Sequence, residues 1–216
     1  MKVLITTGCS FSEPPLWPYH LEKRIPNLSY KNYGKSGMGN EYISRTVFHS
    51  VTELLKSGME SKEILVMCCW TALSRLQNSF GEELYGIPIN MFRNQDHLFK
   101  NKILDEYDLL LNGLEPIIST QNFLKVNNID FIFFSMLNLF ESCRGPIWQY
   151  DRKNKLQIPP NTWNAGTIFE NIPSHWGSDS INYLSTLNEN IDWDKWWFFN
   201  LKDKVKFGGI AEWVSI

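Results

Sequence analysis

The chain has 216 residues, 43% of them hydrophobic. This is enough for one sizeable hydrophobic core but too little for two, so we expect a single domain over residues 1–216. Its formal net charge is -2, with 21 Lys and Arg against 23 Asp and Glu, so the excess of basic residues that neutralises phosphates is missing and we expect no nucleic-acid partner. No apolar run reaches the ~18 residues of a membrane span, and the run at 3–5 is too short for a signal peptide, so we expect no membrane partner and a cytoplasmic location.

Short apolar segments bounded by turn residues predict four β-strands, at residues 2–7, 28–34, 63–70 and 129–137. The last two are almost continuously apolar, which is typical of strands in a parallel sheet that is covered on both faces.

Between the strands, apolar residues recur at helical spacing. Over residues 39–58 they predict one helix, with Gly58 as its C-terminal stop, and over 95–125 a second helix that we expect Pro116 to break. The alternation predicts an α/β fold with a mostly parallel sheet of four to five strands and right-handed crossovers.

After residue 140 the composition changes. Residues 141–175 are rich in Pro, Asn and Gly and predict an irregular insertion. Residues 176–216 form an aromatic C-terminal segment that we expect to be partly helical. The late tryptophans are Trp163, Trp176, Trp193, Trp196, Trp197 and Trp213. Aromatic side chains stack on sugars, but they also dominate cores and interfaces, so we favour core packing or a protein partner.

The cysteines do not predict a metal site. Cys9, Cys68, Cys69 and Cys143 lack the spacing of zinc ligands, and without an export signal we expect them to be reduced. We interpret Cys9 and the Cys68-Cys69 pair as small buried hydrophobic residues.

Ligands of open α/β sheets bind beyond the carboxyl ends of the strands, where this sequence has Ser10 after the first strand. Ser10 is a candidate nucleophile, and an ordinary turn serine is the alternative. Ser12 is the alternate hydroxyl, less favoured because it lies further into the loop.

Three stretches carry a resemblance: "GCSFS" at 8–12, "NYGKSGMGNEYISR" at 32–45 and "VMCCWTALSR" at 66–75. Together they resemble the SGNH/GDSL hydrolases, in particular a divergent branch common in bacteriophage and bacterial genomes. The resemblance implies a flavodoxin-like three-layer α/β/α sandwich. It also implies a serine esterase or acyl hydrolase that acts on an acyl or acetyl ester, of a small molecule or a glycan, without a cofactor.

The resemblance assigns roles to four residues. Ser10 corresponds to the nucleophile, and its backbone N–H to one oxyanion donor. Gly37 corresponds to the glycine whose N–H is the next donor, which fits because a glycine lets the backbone approach closely. Asn40 matches an asparagine frequent in this branch and is equally a candidate cap of the following helix. Thr71 stands where the family commonly has an asparagine donor.

The base of this family is missing, because no histidine here has an Asp or Glu three residues before it. A serine needs a base to become nucleophilic. Three explanations stay open: a truncated or split chain, a different histidine, or a fold that has lost catalysis and serves binding. His175, with Asp179 four residues later, is the best candidate base, and His20 is less favoured.

The alternative function is therefore a non-catalytic SGNH-like structural or binding protein of phage type, located in the virion or the host cytoplasm. A nucleotide-binding domain is disfavoured, because no Gly-rich phosphate loop opens a helix after the first strand.

Overall fold

The computed structural model describes residues 2–14, 16–25, 28–71, 75–80, 83–88, 106–136, 178–199 and 210. In chain order its strands are β1 (Lys2–Gly8), β2 (Leu28–Asn32), β3 (Ile64–Trp70), β4 (Arg75–Phe80), β5 (Glu83–Pro88) and β6 (Asp130–Ser135). Its helices are α1 (Trp17–Arg24), α2 (Asn40–Lys56), α3 (Glu106–Val126) and α4 (Ser178–Glu189).

Four of the strands form one sheet in the order β2-β1-β3-β6, and all three neighbouring pairs are parallel. The four predicted strands and the α/β class are thereby confirmed. The chain moves outward from β1 to β2 and then back past β1 to β3. Right-handed crossovers put the helices of these two connections on opposite faces of the sheet, which is the arrangement of a doubly wound fold.

One face of the sheet packs against α2 and α3. Its buried cluster takes Val3, Ile5, Val66, Cys68, Trp70, Phe131 and Phe133 from the strands and Ile43, Val47, Val51, Ile117 and Leu124 from the two helices. The other face holds a smaller cluster of Cys9, Cys69, Phe134 and Met136. There, Trp17 of α1 lies edge-on to Phe134 at 4.9 Å between ring centroids.

Helix α2 follows the sequence closely. Ile43, Val47 and Val51 repeat every four residues and are fully buried. Gly58 ends the helix in the left-handed region, with φ +88°. Its N–H donates to Leu55 O (3.0 Å), and the next N–H, of Met59, donates to Leu54 O (3.1 Å). The predicted C-terminal stop is confirmed.

Helix α3 corrects one prediction, because it continues through Pro116 without a break. A proline removes only one backbone donor, and here the flanking turns are held by tertiary packing of Leu114, Ile117 and Ile118 in the core. The first part of the predicted helical region, residues 95–105, and the predicted insertion at 141–175 lie outside the described residues. Helix α1 and the antiparallel hairpin β4–β5 were not predicted from the sequence.

The aromatic segment after α4 runs along the open side of β6. Trp196 forms a parallel bridge with Phe133, and the N–H of Trp197 donates to Phe133 O at 2.7 Å. Trp196 is buried, as predicted for a core tryptophan, whereas Trp197 is 62% exposed. The segment thus occupies the edge where a fifth strand of such a sheet would lie. Trp163, Trp176 and Trp213 fall outside the described residues.

Lys125 and Gln121 of α3 hold this segment from the side. Lys125 Nζ pairs with Asp192 Oδ2 at 2.6 Å, and the Asp192 N–H donates to Gln121 Oε1 at 2.7 Å.

Among the helices of the described residues, none is long and apolar enough to cross a membrane.

Candidate functional site

Ser10 opens a short 3-10 helix, Ser10–Ser12, immediately beyond β1. The Ser12 N–H donates to Cys9 O (2.9 Å), which turns the chain sharply away from the strand. Ser10 is partly exposed. Within the described residues neither its hydroxyl nor its backbone N–H makes a hydrogen bond. At the carboxyl end of β1, Ser10 therefore presents a hydroxyl and an amide that no other described residue engages.

The loop that contains Gly37 lies beside this turn. The Lys35 N–H donates to Gly8 O at 3.1 Å, which joins the loop after β2 to the end of β1. Gly37 has φ +80°, a left-handed conformation that glycine adopts without strain. No acceptor for its N–H lies among the residues that the structure describes.

Asn40 links the start of α2 to the end of β3. Its Oδ1 accepts the Thr71 N–H (2.9 Å), and its Nδ2 donates to Thr71 O (3.2 Å) and to Gly113 O (3.3 Å) of α3. The residue is buried. The interpretation of Asn40 as a helix cap is wrong, because Gly39 is the N-cap and the Asn40 amide is engaged by Thr71 and Gly113 instead. Both amide hydrogens are used, so Asn40 holds the loops in place and has none left for a ligand.

Thr71 keeps a hydroxyl without a partner. Thr71 is fully buried, and its Oγ1 has no hydrogen-bond partner within the described ranges. An unpaired buried hydroxyl costs about 1–3 kcal/mol, so it is a group for which a ligand atom could supply the missing bond. The β1–β3 boundary where Thr71 lies is also the point at which the strand order reverses, the usual ligand position in open α/β sheets.

The structure brings no described histidine to Ser10. His20 lies exposed on α1, with its ring edge-on to Tyr19 at 5.6 Å, and His49 lies exposed on α2. Neither makes a hydrogen bond to Ser10. His175, the candidate base, lies outside the described residues, as does His97. In the described part of the chain, no three His, Cys, Asp or Glu side chains are grouped as metal ligands.

Three thiols close to the site are buried and free: Cys9, Cys68 and Cys69. The Cys9 thiol donates to Met136 Sδ at 3.2 Å. Burial raises the pKa of Cys68 and of Cys69 well above the ordinary thiol value, and nearby Cys9 raises that of Cys69 further. A raised pKa keeps a thiol protonated and unreactive, so these two cysteines are structural.

Sequence reasoning missed one group of residues, which surrounds Ser12. Asn32 Nδ2 donates to Ser12 O at 2.8 Å, and the Gly34 N–H donates to Asn32 Oδ1 at 2.9 Å. Asparagine is depleted in strands, so an asparagine at the last position of β2 is the one feature of the sequence that indicates a special role for Asn32.

Neither protein-family models nor curated proteins gave a match to this chain.

Proposed function

We propose that this chain is a serine hydrolase similar to the SGNH/GDSL family, which cleaves an acyl or acetyl ester of a small molecule or a glycan without a metal or organic cofactor. One observation carries the proposal. The backbone N–H groups of Ser10 and Gly37 have no acceptor among the described residues. They lie on loops that the Lys35–Gly8 hydrogen bond joins, at the reversal point of the strand order. An oxyanion hole is built from N–H groups of this kind.

In this proposal the Ser10 Oγ attacks the ester carbonyl and its proton passes to a base. The resulting oxyanion accepts hydrogen bonds from the N–H groups of Ser10 and Gly37, and the Thr71 hydroxyl is the third donor. The C–O bond then breaks, the leaving alkoxide takes the proton from the base, and water releases the acid from acyl-Ser10. His175 is the proposed base.

The hydrogen bond that the Ser12 Oγ accepts from the Trp17 indole N–H, at 3.2 Å, supports Ser10 as the nucleophile, since the Ser12 hydroxyl is already engaged. We also propose a cytoplasmic location, because free thiols such as Cys9 and Cys68 persist in reducing compartments.

Hydrolysis of p-nitrophenyl acetate by the wild type and by Ser10→Ala tests the proposal. We expect Ser10→Ala to lower kcat/KM by about 10² to 10⁶-fold. Ser57→Ala is the matched control, because Ser57 is an exposed serine at the opposite end of α2 and should leave turnover unchanged. A fluorophosphonate probe should add to the peptide that contains Ser10. Equal turnover by folded wild type and Ser10→Ala would refute the proposal.

His175→Ala tests the base separately. Since nucleophile and base act as a unit, its loss of rate should match that of Ser10→Ala. If His175→Ala keeps full activity while Ser10→Ala loses it, the nucleophile stands and His175 is not the base.

A second candidate function is a non-catalytic SGNH-like binding protein of phage type that contacts a protein partner through its Trp-rich C-terminal segment. It is favoured by the exposure of Trp197, 62%, on the segment beside β6. Neither described histidine contacts Ser10, which also agrees with it. Folded wild type that neither turns over ester nor forms a probe adduct would favour this function over the hydrolase.

A further inference from the structure

Ser12 is fully buried and lies at the last position of the 3-10 helix that Ser10 opens. Its hydrogen bonds include three that connect it to Cys9, Trp17 and Asn32. Its N–H donates to Cys9 O at 2.9 Å, its Oγ accepts the Trp17 indole N–H at 3.2 Å, and its carbonyl oxygen accepts Asn32 Nδ2 at 2.8 Å. Ser12 is therefore the point at which β2 and α1 are tied to the Ser10 turn.

The backbones of two glycines, Gly8 and Gly34, lie close to Ser12. A Cβ added to Gly8 would lie 2.2 Å from Ser12 Oγ, and a Cβ added to Gly34 would lie 2.2 Å from Ser12 O. Both distances are far inside van der Waals contact. The backbones of the β1 end and of the loop after β2 thus approach Ser12 so closely that neither position has room for a side chain.

Asn32 extends the connection into the sheet. Its Oδ1 accepts the Thr6 hydroxyl at 3.0 Å and the Gly34 N–H at 2.9 Å, while its Nδ2 reaches Ser12. Three hydrogen bonds fix the orientation of this amide. The placement of Ser12 is accordingly determined by residues of β1, β2 and α1 rather than by the turn alone.

We propose that Ser12 is the positioning residue for Ser10, an inference that rests on the proposed hydrolase function. The Ser10 hydroxyl has no hydrogen bond within the described residues, so the backbone of its turn must place it. That turn is fixed through Ser12. Misplacement of a reacting group by about 1 Å can cost about 10²-fold in rate, so a buried tie of this kind acts on turnover without touching the substrate.

The kinetic test compares Ser12→Ala with Ser50→Ala. Ser50 is a matched control, because it is buried and its hydroxyl donates to Thr46 O at 2.6 Å on α2, away from the Ser10 turn. We expect Ser12→Ala to lower kcat about 10- to 100-fold with KM within about twofold, because substrate contacts remain. Ser50→Ala should change neither. Equal kcat values for the two variants would overturn the proposal.

Trp17→Phe removes the donor of the Trp17–Ser12 hydrogen bond and leaves the Ser12 hydroxyl in place. Its kcat tests the proposal if Ser12→Ala does not fold. In the double variant with Ser12→Ala the loss of kcat should be smaller than the product of the two single losses. Independent, multiplicative losses would contradict a role of the Ser12–Trp17 bond.

Hydrogen exchange separates this inference from the proposed function. In Ser12→Ala, the hydrogen-bonded amides of Ser12, Glu13, Gly34 and Lys35 should exchange at least about tenfold faster than in the wild type, while those of α2 are unchanged. This result does not need turnover. If the wild type has no esterase activity but the exchange changes as expected, the hydrolase proposal fails and Ser12 still positions the turn. If exchange is unchanged, Ser12 does not position it.

Discussion

The Asn40 side chain offers the most direct test of how the candidate site is held together. Asn40→Ala removes its hydrogen bonds to Thr71 N, Thr71 O and Gly113 O, at 2.9, 3.2 and 3.3 Å. Asn40 is 1% exposed, so water cannot replace them without rearrangement. At about 1 kcal/mol net for each bond, and more for a buried N–H left unpaired, the expected loss is about 2–4 kcal/mol. For a chain of this length that corresponds to a fall in Tm of about 4–16 °C.

Asn40→Asp adds a pH dependence. It keeps the acceptor for the Thr71 N–H but places a carboxyl oxygen against the carbonyls of Thr71 and Gly113. Burial and these two dipoles should raise the pKa of the introduced carboxyl in the folded state above its unfolded value of about 3.9. The folded variant then holds the proton more tightly than the unfolded chain. Relative to wild type, its stability is therefore greatest below about pH 4 and decreases as the pH rises through the raised pKa.

Urea unfolding followed by tryptophan fluorescence, at several pH values, measures both effects. Asn127→Ala is the control. Asn127 is half-buried and its side chain donates to Phe123 O at 2.8 Å, so its loss should cost about 1 kcal/mol or less. The reasoning fails if Asn40→Ala costs no more than Asn127→Ala, or if the penalty of Asn40→Asp relative to wild type is the same at pH 4.5 and pH 7.

Two further predictions concern the core. Trp196→Ala should lower the free energy of unfolding by about 3–5 kcal/mol, whereas Trp197→Ala, at a position 62% exposed, should cost about 1 kcal/mol or less; similar denaturation midpoints for the two variants would contradict the placement of this segment. Burial raises the pKa of Cys68 and Cys69, so both thiols stay protonated in the folded protein at pH values where the unfolded chain loses these protons. The free energy of unfolding should therefore fall as the pH rises above the unfolded thiol pKa of about 8.5. Urea titrations between pH 7.5 and 9.5 should show a shallower fall for Cys68→Ala/Cys69→Ala, and an identical slope would argue against buried thiols.

The four strands of the parallel sheet were predictable from sequence because turn residues bound each segment and because β1, β3 and β6 are short apolar runs, whereas the hairpin β4–β5 was not predicted. Helix α1 was not, since "WPYHLEKR" has few apolar residues to mark a buried face. Its position is set by tertiary contacts, chiefly Trp17 against Phe134. The break expected at Pro116 illustrates the same limit, because local propensity alone does not include the packing that holds the helix on both sides.

At the candidate site, the sequence indicates which residues to consider, but it does not show what each of them contacts. Ser10 could be named because strand ends identify where ligands bind, and Gly37 and Thr71 were named from the family resemblance. The role of Asn40 could not, since its partners lie 31 and 73 residues away. Ser12 was considered only as an alternate hydroxyl, because nothing in a single sequence shows that Gly8, Asn32 and Gly34 converge on it. The assignment of His175 stays a prediction.

The position of β1 in the sheet has a consequence for the newly made chain. β1 has six buried residues out of seven and is synthesised before the other described strands of its sheet. Its partner β3 pairs with it in the register Val3↔Ile64 to Gly8↔Cys69, so β1 must wait for a distant segment. At about 5–20 residues per second, a ribosome needs about 3–12 s to deliver β3 after β1. Pairings this distant along the chain also form slowly. The most deeply buried of the described strands therefore keeps its β3-facing edge unpaired until β3 has been made, and during that time this edge is exposed to contacts with other chains.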